Sequence, residues 1–308
     1  MEKRKLGSLD VSVVGLGCNN FGWRIDAAGT AQVIGAALEA GINFFDTADV
    51  YGGGASEEFL GRALGTRRND VVLATKFGLP LDDQRRGGAK PAYIRQAVED
   101  SLRRLGADRI DLYQLHRPDP ETPVADTLAA LDALVKAGKV REIGCSNFSA
   151  AQLREAEAAV ESGAARFVSV QNQYSLMHRE PEPELLPEAR KLGIAFIPYF
   201  PLHNGLLTGK YQTGQALPEG SRGKDSFGPK IFTKENIALA EALEKFAVSR
   251  GHTLLQLAMS WLAAQPCVAS VIAGAKSPEQ VKANAASAGW RLAPEDLEDV
   301  ERVLLQPA

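Results

Sequence analysis

The sequence predicts an α/β fold, a (β/α)8 TIM barrel preceded by an N-terminal β-hairpin, and three observations support this prediction. First, the 308 residues repeat one unit, in which a short run rich in Val, Ile and Phe is followed by a loop, by apolar residues spaced three and four apart, and by a glycine. Second, eight such strands occur, and strands alternating with helices favour a closed parallel barrel. Third, the segment GLGCNNFG lacks the G-x-G-x-x-G spacing of an open dinucleotide-binding sheet.

The hairpin and the strands follow from short apolar runs. Two such runs flank Gly7 and Ser8 in the opening RKLGSLDVSVVGLG, which predicts a hairpin ahead of the barrel. The eight barrel strands are predicted at residues 13–17, 43–46, 71–76, 111–116, 142–146, 167–171, 195–200 and 269–274. Two long polar loops, residues 81–90 and 203–232, interrupt the repeat, and long loops at the catalytic end of a barrel usually carry function.

Local signals mark the helix ends. Glycine adopts the left-handed conformation without a steric penalty, so helices are predicted to stop at Gly41, Gly65, Gly106, Gly138, Gly163 and Gly193. Pro91 and Pro123 each stand in a predicted first helical turn, and Ser149 with Gln152 forms a capping box. The last helix is predicted at residues 294–305.

The composition bounds the class of protein. A hydrophobic content of 45% can fill one large core, and we expect a single domain spanning residues 1–308. The net charge of -3 provides no basic surface for nucleic acid, and no apolar run is long enough to cross a bilayer. We therefore expect a soluble cytoplasmic protein without a nucleic-acid, membrane or obligate protein partner. Cys18, Cys145 and Cys267 are too few and too scattered for a disulfide framework or a metal site.

Four groups that can carry or stabilise a proton lie at or just after the ends of the second, third and fourth predicted strands. They are Asp46, Tyr51, Lys76 and His116. The carboxyl ends of parallel barrel strands share one rim, so we expect these four side chains to meet there. Taken singly, they are also compatible with a buried ion pair, a structural histidine and a turn tyrosine.

Seven motifs then occur in a family-like order: FDTADVYG, ATKFG, LYQLHRPD, GCSNFS, VQNQYS, GLLTGK and VIAGAKSPEQ. On these motifs the sequence resembles the aldo-keto reductases, from the opening RKLG to the region of Asn284. The resemblance implies a barrel whose bottom is plugged by the hairpin. It also implies NADPH-dependent reduction of aldehydes or ketones to alcohols.

Carbonyl reduction needs a hydride, which no side chain donates and a nicotinamide must supply, and a proton. The resemblance assigns the proton to Tyr51. A tyrosine has a pKa near 10, and a neighbouring Lys76 ammonium would lower it. Asp46 would hold Lys76 charged and in place, and a neutral His116 would orient the carbonyl oxygen.

The resemblance also implies cofactor contacts along the later strands. Ser146, Asn147 and Gln171 are expected at the carboxamide and Tyr199 against the nicotinamide ring, with Leu202, Leu206 and Lys210 near the pyrophosphate and Asn284 at the adenine. For several of these, a polar turn or ordinary core packing is the alternative.

The segment GAKSPEQ points independently to an anion. Ser277 caps a helix that begins at Pro278, with Gln280 closing a capping box, so backbone N–H groups face outward there. Gly274 allows close approach of a phosphate. Lys276 suits an extra phosphate on the adenosine ribose, which favours NADPH, although it is also compatible with a solvated surface lysine. Many relatives place an arginine near Gln280, so NADH use stays open.

Substrate contacts are expected from Phe21 and Trp23, which follow the first strand, with Leu79 and the loop around Arg85 and Arg86 nearby. Only three residues follow the last predicted helix, so we expect an open pocket. The two arginines are compatible with an anionic substrate or with simple solubility.

Two other functions compete with carbonyl reduction. A desolvated Lys76 could form a Schiff base in a barrel lyase. The chain could also be a regulatory module that binds nicotinamide with little turnover.

Overall fold

The computed structural model describes residues 1–82, 86–218 and 228–305. Eight parallel strands form the central sheet, as predicted, and each bound lies within two residues of the predicted one. They are β3 (Val14–Gly17), β4 (Phe44–Asp46), β5 (Val72–Phe77), β6 (Ile110–Leu115), β7 (Val140–Ser146), β8 (Phe167–Gln173), β9 (Ala195–Tyr199) and β10 (Val271–Gly274).

The sheet coils into a nearly closed TIM barrel. Its strand order is β10-β3-β4-β5-β6-β7-β8-β9, so consecutive strands are neighbours. The gap between β9 and β10 is bridged just before β10 begins. There the Phe196 amide donates to the Cys267 carbonyl at 2.8 Å, and the Ala269 amide donates to the Phe196 carbonyl at 3.0 Å. The carboxyl ends of all eight strands therefore face one rim.

The N-terminal hairpin closes the opposite end of the barrel. It consists of β1 (Lys3–Leu6) and β2 (Leu9–Ser12), paired antiparallel. Leu9 is buried with the interior barrel residues Phe44 and Ile197 in a separate apolar cluster. The hairpin therefore seals the barrel floor with apolar side chains and leaves the other end for chemistry.

Eleven helices surround or follow the sheet in the described part of the chain. They are α1 (Ala27–Glu39), α2 (Ala55–Leu64), α3 (Pro91–Leu105), α4 (Val124–Lys136), α5 (Ala150–Ala158), α6 (Leu185–Lys191), α7 (Gly228–Ile231), α8 (Lys234–Ser249), α9 (Leu254–Ala263), α10 (Pro278–Ala286) and α11 (Pro294–Leu305). Their buried faces pack on the outer surface of the strands in one large apolar core. None of the helices among the described residues is long and apolar enough to cross a membrane.

Most of the predicted helix ends are confirmed. Gly41, Gly65, Gly106, Gly138 and Gly193 all have positive φ at or just after a helix end, and α11 has the predicted bounds. The Ser149 capping box is present, and Pro91 is the first residue of α3.

Two predicted helix ends are wrong in detail. Helix α5 stops at Ala158, so Gly163 lies in a following turn instead of at the helix end. After that turn, the Ala165 amide donates to the Asp132 carboxylate at 2.9 Å, a partner outside the helix. Pro123 is the N-cap of α4 and stands just outside its first turn, with an extended ψ of 134°.

Candidate active site

A cavity of about 540 Å³ opens at the carboxyl ends of the strands. It is lined by most of the residues predicted from the sequence: Asp46, Tyr51, His116, Ser146, Asn147, Gln171, Tyr199, Leu202, Lys210, Gly274, Lys276, Gln280 and Asn284. Lys76 lies behind the wall, with its side chain 1% exposed. The shared rim of a parallel barrel thus brings together groups that are far apart in the sequence.

Asp46 and Lys76 form a buried ion pair at the ends of β4 and β5. The Lys76 Nζ lies 2.5 Å from Asp46 Oδ2 and also donates to the Thr47 carbonyl at 2.9 Å. Burial lowers the pKa of Lys76, but the charges and hydrogen bonds of Asp46 and Tyr51 outweigh it and raise this pKa above its ordinary value. The ammonium therefore stays protonated at neutral pH.

Tyr51 stands on the cavity wall above this pair. The Lys76 Nζ is 5.2 Å from the centroid of the Tyr51 ring. The following turn needs glycine, because Gly52 has a φ of 58° and a Cβ there would come within 2.9 Å of the Phe21 carbonyl oxygen. That turn holds the phenol at the cavity.

The pKa of Tyr51 is not lowered overall, although the neighbouring Lys76 ammonium was expected to lower it. Burial raises this pKa above its ordinary value, and the Lys76 charge lowers it without cancelling the effect of burial. The net direction is therefore upward. The phenol is protonated at neutral pH, which is the form that can donate a proton.

His116 faces Tyr51 edge to face, with ring centroids 5.8 Å apart and planes at 81°. Burial lowers the pKa of His116 well below its ordinary value, and the charges of Lys76 and Arg117 lower it further. The imidazole is therefore neutral at neutral pH. Its Nδ1 is buried and has no hydrogen-bond partner among the described residues.

Two glutamines hold the second oxygen of Asp46. Gln171 Nε2 donates to Asp46 Oδ1 at 2.9 Å, and Gln114 Nε2 donates to the same oxygen at 3.1 Å. The amide nitrogen of Gln171 is thus turned toward Asp46, which the expected carboxamide contact did not anticipate. Sequence reasoning missed Gln114, although it stands on β6 two residues before His116, a spacing that puts both side chains on the same, inward side of the chain.

Ser146, Asn147 and Tyr199 form one connected group across the ends of β7 and β9. The Tyr199 hydroxyl donates to Asn147 Oδ1 at 2.8 Å, and Asn147 Nδ2 donates to the His116 carbonyl at 2.9 Å. Ser146 Oγ donates to the Gln171 carbonyl at 2.6 Å. Asn147 has a φ of 61°, an uncommon conformation for a residue with a side chain. Such strain is typical of functional sites.

The N-terminus of α10 forms the other end of the cavity. Ser277 caps the helix, accepting from the Gln280 amide at 3.4 Å, but Gln280 Oε1 accepts from the Lys276 amide at 2.8 Å instead of closing the predicted box. Little space surrounds Gly274, because a Cβ there would lie 3.2 Å from Asn19 Oδ1. A helix N-terminus beside a closely packed glycine suits a phosphate.

Three side chains that were predicted to contact cofactor or substrate do not line this cavity. Phe21 is fully buried in the core, so it cannot line the cavity. Trp23 is 61% exposed outside the cavity, with the Arg24 guanidinium 4.4 Å from its ring centroid. Leu206 is 1% exposed and packs into the core, whereas its neighbours Asn204, Gly205 and Thr208 line the cavity. In each case the direction in which the loop side chain points could not be read from the sequence.

The described residues of the expected arginine loop do not line the cavity. Arg85 lies outside the described residues, and neither Arg86 nor Leu79 lines the cavity. Lining residues that sequence reasoning missed include Asn19, Asn20, Arg24, Arg117 and Phe200. Two sequence signals could have indicated some of them: the polar pair Asn19 and Asn20 soon after β3, and Arg117 directly after His116.

A second buried acid lies close to Tyr51. Asp49 is 1% exposed, and neither of its oxygens accepts a well-formed hydrogen bond from the described residues. Burial, reinforced by the nearby Glu57, raises the pKa of Asp49 to about 7, against the opposing charge of Arg104. Glu57 itself is satisfied, accepting from Thr75 Oγ1 at 2.6 Å and from Arg104 Nε at 2.7 Å.

The site geometry disfavours the Schiff-base lyase chemistry considered for Lys76. A Schiff-base lysine must be reachable and able to lose its proton, whereas Lys76 is covered by Asp46 and Thr47 and kept protonated. Within the described ranges, no group of three or more His, Cys, Asp or Glu side chains is placed to hold a metal ion.

Comparisons with known proteins agree with this geometry. The model of the Aldo/keto reductase family matches residues 13–305. The aldo-keto reductase YhdN of Bacillus subtilis (strain 168) is 37% identical over 306 residues, covering 96% of this chain and 91% of the relative. The uncharacterized oxidoreductase YqkF of the same organism is 37% identical over 297 residues, covering 94% of this chain and 92% of the relative.

Solved structures show the same likeness. The glycerol dehydrogenase AKR11B4 from Gluconobacter oxydans superposes with a TM-score of 0.85 at 33% identity, covering 98% of this chain and 94% of that one. The holo form of the aldo-keto reductase AKR11C1 from Bacillus halodurans superposes with a TM-score of 0.82 at 33% identity, covering 98% and 96%.

Proposed function

The chain belongs to the aldo-keto reductase family, whose members are NAD(P)H-dependent oxidoreductases, and we propose that it reduces aldehydes or ketones with NADPH and a proton from Tyr51. One observation carries this proposal: a protonated phenol on the cavity wall lies over a buried, charged Lys76 and beside a neutral His116. These are the groups that protonation of a carbonyl oxygen requires.

The cofactor fits the residues present. A bound nicotinamide would supply the hydride, since no side chain donates one. Ser146, Asn147 and Tyr199 would hold the ring end, and their mutual hydrogen bonds already fix their positions. Lys210 and the N-terminus of α10 would take the phosphates, because both line the cavity and a helix N-terminus carries partial positive charge.

Tyr51 acts as the general acid. Its hydroxyl passes a proton to the carbonyl oxygen as negative charge develops there. The Lys76 ammonium stabilises the phenolate that remains, which is the physical meaning of its lowering effect on the phenol pKa. Asp46 keeps that ammonium charged and stationary. A positioned acid of this kind contributes roughly 10² to 10⁴ in rate.

His116 has a different role because its imidazole is neutral. A neutral ring can donate one hydrogen bond to the carbonyl oxygen without adding a second charge next to Lys76. The low pKa therefore favours an orienting role over that of the proton source.

NADPH is the expected cofactor because Lys276 lines the cavity beside the α10 N-terminus, where it suits the ribose phosphate. Gln280 adds no charge, and its side chain is tied to the Lys276 amide. Among the described residues, the proposed preference for NADPH over NADH therefore depends on Lys276 at this end of the cavity.

The experiment is consumption of reduced nicotinamide with a panel of aldehydes and ketones, using NADPH beside NADH. Glycerol oxidation with NADP⁺ is measured beside this panel, because one structural relative is a glycerol dehydrogenase. Tyr51→Phe should lose turnover but still bind NADPH, as shown by quenching of the protein's fluorescence when NADPH is added. The matched control is Tyr113→Phe, which removes a buried hydroxyl that has no hydrogen-bond partner among the described residues. Full turnover by Tyr51→Phe would contradict the proposed acid.

A further inference from the structure

We propose that the physiological carbonyl substrate carries an anionic group, a carboxylate or a phosphate, and that the Arg117 guanidinium binds it. This inference rests on the proposed function, because it names the substrate class of the same cavity. It concerns a residue that sequence reasoning overlooked.

The charged side chains that line the cavity are mostly cations. Four are basic: Arg24, Arg117, Lys210 and Lys276. Among the described residues, the lining contains one carboxylate, Asp46, and that group is already neutralised by Lys76. Basic side chains therefore outnumber acidic ones in the described lining, which favours anions over cations.

Arg117 lies at the catalytic end of this cavity. It follows His116 directly, so their Cα atoms are about 3.8 Å apart. Its charge acts on the pKa values of both His116 and Tyr199. The carbonyl of His116 is also hydrogen-bonded by Asn147. These neighbours belong to the catalytic and nicotinamide side, away from the α10 N-terminus at which a phosphate of the cofactor is expected.

Arg117 is exposed, and its side chain makes no hydrogen bond or ion pair within the described ranges. Asp119, two residues later, could have neutralised it but is engaged elsewhere. Its carboxylate accepts from the Ala89 amide at 2.7 Å, from Thr122 Oγ1 at 2.7 Å and from the Glu121 amide at 2.9 Å. The local fold thus keeps the arginine next to the catalytic histidine available.

By contrast, many other arginines of the chain are committed to ion pairs. Arg68 pairs with Asp111 at 2.8 Å, and Arg104 pairs with Glu57 at 2.7 Å. An available guanidinium offers a planar fork of donors that matches a carboxylate or phosphate, and Arg117 lines the same cavity as Tyr51 and His116.

The test compares matched pairs of substrates that share a reacting carbonyl. para-Carboxybenzaldehyde is measured against its methyl ester, and glyceraldehyde phosphate against glyceraldehyde, so that the carboxylate and phosphate arms are separate. The readout is the ratio of kcat/KM for the anionic over the neutral member. The proteins are the wild type, Arg117→Gln, Arg117→Lys and Arg95→Gln. Arg95 is an exposed arginine on α3 outside the cavity and controls for net charge.

We expect the wild type to prefer the anionic member of at least one pair. Arg117→Gln should lower that ratio by roughly 10- to 100-fold, as for loss of a hydrogen bond to a charged group. Arg117→Lys should retain part of the preference, Arg95→Gln should leave it unchanged, and added salt should weaken it. An equal ratio in the wild type and in Arg117→Gln would overturn the inference, as would a rise in the KM for NADPH in place of a changed ratio.

A readout without turnover separates this inference from the proposed function. Binding of benzoate and of benzamide to the protein with NADP⁺ is measured by calorimetry. If no carbonyl is reduced by any protein, the proposed function fails, and weaker benzoate binding by Arg117→Gln would still support the anion site. Benzoate that binds no better than benzamide, or equally well to the variant, would overturn it.

Discussion

Asp49→Asn tests whether a buried acid next to the proposed proton donor, Tyr51, is protonated in the folded protein. Asp49 is 1% exposed, and neither of its oxygens is well hydrogen-bonded by the described residues. Burial is the main reason that the pKa of this carboxyl rises to about 7, and the Glu57 charge adds to it. Asparagine has nearly the same shape and cannot ionise.

The sign of the effect follows from linkage between protonation and folding. A carboxyl whose folded pKa is raised contributes stability that is fully present below the unfolded value, about 3.9, and is lost as the pH rises through the folded value. A difference of about three pKa units corresponds to an upper limit of roughly 4 kcal/mol in the free energy of unfolding. Between about pH 5 and about pH 8, roughly 2 to 3 kcal/mol of this loss should occur.

The assay is urea unfolding of the wild type and Asp49→Asn at both pH values. The free energy of unfolding of the variant relative to the wild type should rise by about that amount from the lower to the higher pH. Asp108→Asn removes an exposed acid and is the matched control. Parallel pH dependence of the wild type and Asp49→Asn would refute the raised pKa and the burial argument behind it.

Three further predictions concern the site. Gln114→Leu removes a hydrogen bond to Asp46 Oδ1, so kcat should fall by roughly 10-fold while NADPH still binds, as measured by steady-state kinetics and fluorescence titration; an unchanged kcat would show that Gln171 alone suffices. Because the pKa of His116 is held well below its ordinary value, its protonation should not reduce kcat/KM as the pH falls from about 8 to about 6. A pH profile checks this, and a loss near the ordinary histidine value that is absent from His116→Gln would contradict it. Lys276→Met should raise the KM for NADPH by roughly 10-fold and leave that for NADH unchanged; equal effects on both cofactors would remove Lys276 from the ribose phosphate.

Local features were predictable from the sequence because backbone preferences act over a few residues. Gly106 adopts the left-handed conformation at the end of α3, and Ser149 with Gln152 forms the predicted capping box. The repeat of strand, helix and glycine then implied the barrel, and the barrel implied that the strand ends share a rim. That reasoning placed Asp46, Tyr51 and His116 at one cavity, as the structure has them.

Partner choice and burial required the tertiary structure. Gln171 donates to Asp46, which lies 125 residues earlier in the sequence, and no local pattern signals that pairing. Phe21 and Trp23 are two residues apart, yet one is fully buried and the other is 61% exposed, because the loop after β3 packs against the turn that follows Tyr51.

The same distinction applies to charge. The sequence by itself determined that an acid, a phenol, a lysine and a histidine would meet at the rim. Only the tertiary structure decided that burial outweighs Lys76 in setting the pKa of Tyr51, and that Asp119 is engaged elsewhere while Arg117 stays available. The physical reason is that secondary structure depends on neighbours along the chain, whereas desolvation and ion pairing depend on every segment that packs around a group.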